Sequence, residues 1–447
     1  MLGEERALEI LKKLLSMVEV EQAEAVLLGK ASGLTRFANS TIHQNVYEKD
    51  TVILLRVAKG KKIGVARSNL TDTESLKQLA RRAAEIADSQ VPNPNFESFA
   101  HSPKAPKVEA FFEETANCSP TRRAENVKMV IAEADKFGFL AAGSHSTTAN
   151  EIAYANSLGT TQYHRQTAAY MNTVIMSPTS SGYADYSSLN IADFDARKIG
   201  EKATKICADS QNPREIEEGR YDVVISPEAV DEIMNWLSYI GFGAESFQEG
   251  RSFMSGRLGE RIMGENISIW DDGLDPRGIP MPFDFEGVPK QRIAIIENGI
   301  ARNVVYSILT AHKEGKQSTG HALPPGEEIA AMPINIFFGT GEHTVDEMIA
   351  SLERGLIVTR FHYINGLLDT RRALFTGMTR DGTFYVENGK IKYPVKNLRF
   401  TDSMLEAFSR VEMISKEAKL QLSYWYGANV VPALKIEDFN FSGKTEF

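Results

Sequence analysis

Two Glu-Asn-Gly tripeptides, at residues 297–299 and 387–389, set the strongest constraint on the fold of this chain. Each interrupts alternating apolar residues, in RIAIIENGIARNVVYS and in GTFYVENGKIKYPV. Asn and Gly tolerate the two positive-φ positions of a type I′ turn, whose twist matches that of paired strands. Both segments are therefore predicted β-hairpins, and residues 220–447 a strand-rich domain with a few helices. Ahead of it, QNPREIEEG at 211–219 is polar and turn-forming and marks the end of an N-terminal domain spanning 1–215. A length of 447 residues suits two such units.

The N-terminal part reads as helices on an antiparallel sheet. An amphipathic helix is predicted over Glu4 to Met17, a strand over Ala23 to Leu28, and a hairpin over 51–68 with Ile53, Leu55 and Val57 on one face. Asp72 opens a helix, the four prolines of 91–107 mark a surface loop, and a further helix runs from Thr121. The Tyr-, Thr- and Val-rich stretch 150–177 predicts paired strands, and 193–210 a closing helix. Beyond the boundary, YDVVI is a strand; Ser226 and Pro227 then start a helix with Val230, Ile233, Leu237 and Ile240 as its buried stripe. Another helix is predicted near 401–415. The class is α+β, in two domains.

Composition narrows the function. Fifty basic against 59 acidic residues give a formal charge of −9, which opposes attraction to nucleic-acid phosphates or anionic lipid. No run reaches the roughly 18 apolar residues of a membrane span, and MLGEERALEILKKLLSM lacks the form of a secretory signal. With Cys118 and Cys207 alone, a disulfide framework is ruled out and a cytoplasmic location is expected.

Sequence chemistry is sparse. His-Glu-x-x-His places two imidazoles on one helix face, and no two of the eight histidines here stand three to five residues apart. A metal site assembled from remote ligands stays open. His343 follows Gly339 and Gly341 after the strand INIFF, but a third glycine and a parallel βαβ context are missing, so the predicted element is a turn with Thr344 capping the next helix. Ser255 in SFMSGRLGE matches no nucleophile motif. Asp271 and Asp272, like Glu217 and Glu218, read as solvated loop faces, and Trp236 and Tyr239 as packing residues or interface anchors.

The segment 220–260, RYDVVISPEAVDEIMNWLSYIGFGAESFQEGRSFMSGRLGE, resembles the central part of the TldD/TldE (PmbA) family, once called modulators of DNA gyrase. DFEGVPKQRIAIIENG from Asp284, STGHA from Ser318, FFGTGEHTVDEMIASLERGLIV from Phe337 and LFTGMTRDGTFYVENGKI from Leu374 resemble its later blocks in order. In the TldD branch the corresponding helix carries His-Glu-x-x-x-His and holds the zinc of a metallopeptidase. The resemblance places that motif at Asn235 to Ile240, with Trp236 at the glutamate position, so both histidines and the glutamate are replaced. Histidines five apart on an ideal helix stand about 140 degrees apart, so the segment is expected to be distorted at Ile240 to Gly243.

This pattern is similar to the TldE (PmbA) branch. The resemblance implies a metal-free helper subunit that binds unfolded peptide while a TldD-like partner supplies zinc and cleavage, with a homodimer as the other assembly. Phe253, Ser255, Gly256, Arg257, Gly259 and Glu260 are then candidates to line or support a peptide cleft, or else form a tight family turn. A self-sufficient metal- or serine-dependent hydrolase is the alternative function; a DNA-associated regulator is disfavoured by the net charge.

Overall fold

The computed structural model describes residues 1–445. Its N-terminal half is a six-stranded antiparallel sheet built from β1 (Gln22–Ala38), β2 (Thr41–Lys59), β3 (Lys62–Ser68), β4 (Leu140–Asn156), β5 (Thr161–Met176) and β6 (Ser181–Ser188), in the order β3-β2-β1-β4-β5-β6. Strand side chains alternate between faces, and the two faces have different partners. Ala23, Ala25 and Leu27 of β1, with Leu55 and Val57 of β2, pack under the helices Glu4–Leu15 and Thr73–Ser89. Further along the same face, Phe37, Ala141, Met171 and Ile175 pack under Pro120–Asp135 and Ala196–Asp209. At Gly64 a Cβ would stand 2.1 Å from the Ala83 carbonyl oxygen, so only glycine lets that helix lie so close to β3.

The C-terminal half holds a thirteen-strand sheet organised by the long strand Ala428–Lys444. That strand runs parallel to Asn335–Phe338 and antiparallel to Gly219–Ile225, Val411–Leu422 and Leu398–Ser403. Both Asn-Gly hairpins form: Asn298 and Gly299 have φ of 48° and 75°, Asn388 and Gly389 50° and 69°. Asp72 caps its helix through the amides of Glu74 and Ser75, and Thr344 with Glu347 forms a capping box.

Three local expectations are corrected. The strand predicted at Ala23–Leu28 extends to Ala38, and β2 begins at Thr41 rather than 51, the two joined through Asn39 and Ser40 at positive φ. Residues 43–50 are mostly exposed on both faces, which erases the alternation that marks a half-buried strand. The helix predicted over 401–415 is reduced to Met404–Ser409, because pairing with the C-terminal strand draws Leu398–Ser403 and Val411–Leu422 into the sheet. Ser226 stands at the start of its helix, but its hydroxyl donates to the Thr359 carbonyl and no side-chain cap forms.

The halves meet on the free face of the first sheet. Val26, Leu54, Ile152 and Tyr154 from that face pack with Met281, Phe283, Phe285, Leu323, Met332 and Ile334. Within this apolar layer the Arg56 guanidinium bridges Glu24 of its own sheet, at 2.5 Å, and Glu286 of the other half, at 2.8 Å. Tyr154 donates to Glu24 at 2.8 Å, and the Ile308 amide to Glu286 at 2.7 Å. Two carboxyls thus share one buried cation. Burial pushes the Glu24 carboxyl up to about 7 and the neighbouring Glu286 adds to the rise, against the pull of Arg56.

Arg56→Met is expected to destabilise the chain by about 3–5 kcal/mol in urea unfolding, because both acids lose a desolvated partner; an unchanged midpoint would contradict the bridge. Glu24 also predicts a pH dependence. Its folded-state value lies above that of an exposed glutamate, so the folded state holds the extra proton between about pH 4.5 and about 7, and stability from this group is lost as pH rises through that window. The stability of wild type relative to Glu24→Gln should therefore fall by up to roughly 3 kcal/mol from pH 4.5 to 7.5. Parallel stability curves would contradict the assignment.

Candidate functional site

The helix Pro227–Leu237 and the turn after it form the centre of the candidate site. Ala229, Val230, Ile233, Met234 and Leu237 are buried in the main C-terminal core. The helix then passes into a π-helical turn, Ser238–Phe242, before the short helix Ala244–Gln248. This is the distortion expected near Ile240 to Gly243. A π-turn closes i→i+5 hydrogen bonds and is an uncommon element often found at functional positions. Local packing enforces it: a Cβ on Gly241 would stand 2.0 Å from the Phe253 ring, and the Ser252 hydroxyl holds the Gly241 carbonyl at 2.7 Å.

The three positions that the resemblance assigns to a zinc motif, 235, 236 and 240, are occupied as follows. Asn235 is buried, donating to the Asp231 backbone and carboxylate at 3.0 Å each and accepting from the Ser423 hydroxyl at 2.5 Å and the Asn429 amide at 3.3 Å. Trp236 makes edge contacts with Tyr239 and Trp425, whose rings stack on each other at 4.6 Å. Ile240 is in the apolar core. An engaged amide, an indole and a sec-butyl group do not fit a zinc ion, which takes imidazole, thiolate or carboxylate ligands. Among the described residues no three His, Cys, Asp or Glu side chains converge as a metal-holding group.

The segment Phe253 to Glu260 sits beside this helix as a tight turn. Phe253 is buried against Gly241 and Phe242. Ser255 is 8% exposed and donates its hydroxyl to the Phe247 carbonyl at 2.9 Å. Gly256 and Gly259 take φ of 75° and 89°, and Arg257 pairs with Glu260 at 3.2 Å. Arg257 borders a shallow depression with Arg261, Arg371 and Arg372. None of the six residues lines the cavity between the two halves; Phe253 and Ser255 brace the π-turn and the short helix after it.

That cavity, about 880 Å³, opens between the two halves. Leu28, Val52, Leu54 and Ile152 of the first sheet face Met281, Phe285 and the loop Ser423–Gly427. The loop joins it to the helix Pro227–Leu237, because Ser423 and Trp425 line the cavity while touching Asn235 and Trp236. The charged side chains at the walls are Lys30, Arg67, Glu151 and Glu327; Thr148, Asn150 and Gln166 add neutral polar groups, with His164, whose Nε2 lies 3.0 Å from the Pro280 carbonyl. Burial pushes His164 down to about 4, so it is neutral at pH 7. Such a space, mostly apolar with a few polar groups, is the usual form of a ligand site.

Asp271 corrects the solvated-loop reading. It is fully buried, its Oδ1 2.9 Å from His321 Nε2 and its Oδ2 accepting the amides of Ile334 and Asn335 at 2.7 and 2.8 Å. Although burial raises the Asp271 carboxyl, His321 and Lys290 hold it below the usual carboxylate range. The signal lay in its place on the buried strand Ile269–Asp271 rather than in the acid pair.

Residues 218–443 match the model of the PmbA/TldA metallopeptidase C-terminal domain, and 23–87 that of PmbA/TldA metallopeptidase domain 1. An uncharacterized protein of Methanocaldococcus jannaschii is 27% identical over 79% of this chain and 82% of its own length. The metalloprotease PmbA of Escherichia coli O157:H7 is 22% identical over 92% and 91%. The crystal structure of TldE from Thermococcus kodakarensis superposes with a TM-score of 0.89 at 19% identity, over 98% of this chain and all of that one. With more than half its length under the domain model and its whole fold shared, this chain belongs to the TldD/TldE (PmbA) metallopeptidase family.

Proposed function

We propose that the chain is a TldE (PmbA)-like subunit, metal-free in itself, which binds an unfolded peptide and supports cleavage by a zinc-bearing TldD-like partner in the cytoplasm. The observation that carries this reading is the occupation of 235, 236 and 240 by Asn, Trp and Ile, each committed to packing or hydrogen bonding. Metal-assisted hydrolysis needs a ligand set that leaves a position for water, and a base to activate it. A zinc ion would have neither at these three positions.

The subunit would bind and present. Its cavity offers apolar walls for side chains and, in the loop Ser423–Gly427, a boundary shared with the degenerate helix. Support for a partner comes from the strand Phe361–Asp369, which among the described residues pairs only with Leu374–Thr379 and so leaves one edge open. It carries Tyr363, Leu367 and Leu368 exposed at 81, 56 and 50%. An open edge is a template for pairing with another chain, and exposed apolar side chains beside it mark an interaction surface. The two free cysteines accord with a reducing compartment.

The purified chain alone should hydrolyse no unfolded peptide, whereas mixing it with a TldD-like protein should create or raise activity that a chelator removes. Chelator-sensitive cleavage by the chain alone would contradict the proposal. Within it, Trp425→Ala should weaken peptide binding about tenfold or more, as for aromatic anchors in binding sites. Unfolding should shift by about 1 kcal/mol at most, because Trp425 is 41% exposed. Unchanged affinity would remove the cavity from the binding surface.

A further inference from the structure

Next to the large cavity, with Leu422 as a shared wall, lies a second pocket of about 210 Å³ whose lining is almost wholly polar. Tyr170, Asn172, Tyr183 and Asp185 reach it from the first sheet, and Glu228, Asp231 and Glu232 from the degenerate helix. Tyr424, next to the cavity-lining Ser423 and Trp425, closes one side and donates its hydroxyl to Glu232.

The charges here do not balance. Glu228 is 6% exposed; its Oε1 takes Lys202 at 2.6 Å and Lys419 at 2.9 Å, while its Oε2 has no hydrogen-bond partner. Lys419 is shared with Asp185. Arg360, the one cation among the described lining residues, is paired with Asp381 at 3.2 Å and lies over the Tyr183 ring. Asp231 receives only amide donors, from Asn235 and Asn429, and Glu232 only a phenol. Burial raises both the Asp231 and the Glu232 carboxyl, as it does for acids short of nearby positive charge.

We propose that this pocket takes a primary ammonium group carried by the peptide that occupies the larger cavity, so that it selects peptides with a lysine side chain or a free α-amino terminus. The inference rests on the peptide-binding reading above. An ammonium is compact, brings three donors and supplies the missing charge. The unpartnered Glu228 Oε2 and the Glu232 carboxylate are acceptors, and the phenols of Tyr170 and Tyr183 add further oxygens. An organic cation is favoured over a metal ion because the carboxyl groups do not converge as a metal-holding set among the described residues.

The test is binding of four fluorescent decapeptides of Ala, Val and Leu to the full chain. One carries a lysine and a free N-terminus; the second is N-acetylated with the lysine kept; the third keeps a free N-terminus with norleucine for lysine; the fourth is N-acetylated with norleucine. At least one ammonium-bearing peptide should bind about tenfold tighter than the fourth, as for a charge-assisted hydrogen bond in a buried site. The second and third peptides tell which ammonium is read. Glu232→Gln should reduce this preference over the fourth peptide to about threefold or less. Glu228→Gln should act likewise, and Glu232→Gln keeps the test decisive if loss of the Lys202 and Lys419 pairs prevents folding. Equal affinity for all four peptides would overturn the ammonium pocket and leave peptide binding standing. No binding of any peptide would overturn both.

Discussion

The buried polar contacts that cross between the two sheets are the constraint on which the rest depends. Arg56 reaches Glu286 and Lys419 reaches Asp185, each pair joining one half to the other, and the half-exposed Lys202 of the helix Ala196–Asp209 reaches the buried Glu228. Isolated buried charges are costly, and these are tolerable only with their partners in place. The halves are therefore fixed in one relative position, and that position encloses the cavity. A purely apolar contact between Leu54 or Tyr154 and Phe283 or Phe285 would define the arrangement less narrowly, because apolar contact is not directional.

The helix Pro227–Leu237 turns this frame into a site. Its apolar side anchors it in the C-terminal core, and its Glu228 meets the N-terminal half through Lys202 of the helix Ala196–Asp209 and through Lys419, which also pairs with Asp185 of β6. The π-turn after it is held by packing, because Gly241 accommodates Phe253 and Ser252 holds the turn from outside. The turn is thus set by glycine and packing, with no metal ligand among the contacts that hold it.

Features set by local chemistry were legible in the sequence. Asn298-Gly299 and Asn388-Gly389 turn where two-residue hairpins require positive φ, Asp72 and Thr344 cap, and the Val230–Ile233–Leu237–Ile240 stripe is buried. The distortion at Ile240–Gly243 followed from the resemblance combined with helix geometry. Features set by distant partners were not legible. His321 meets Asp271 across 50 residues, and Ser423 meets Asn235 across 188, so neither the buried dyad nor the loop beside the cavity had a nearby signal. The exposed half of β2 was lost for the opposite reason, since a strand solvated on both faces has no alternation to detect. The proposed cleft residues Phe253 to Glu260 were drawn from one segment, whereas the cavity is assembled from both halves of the chain.

The central claim is that the residues at 235, 236 and 240 cannot grip a divalent ion. Its most direct test is a zinc titration of the purified chain against a chromophoric chelator of comparable strength to a peptidase site, followed by metal analysis after gel filtration. The chelator should keep the zinc, and the protein should elute with far less than one ion per chain. One tightly held zinc per chain, lost on substitution of residues around Trp236, would contradict the claim.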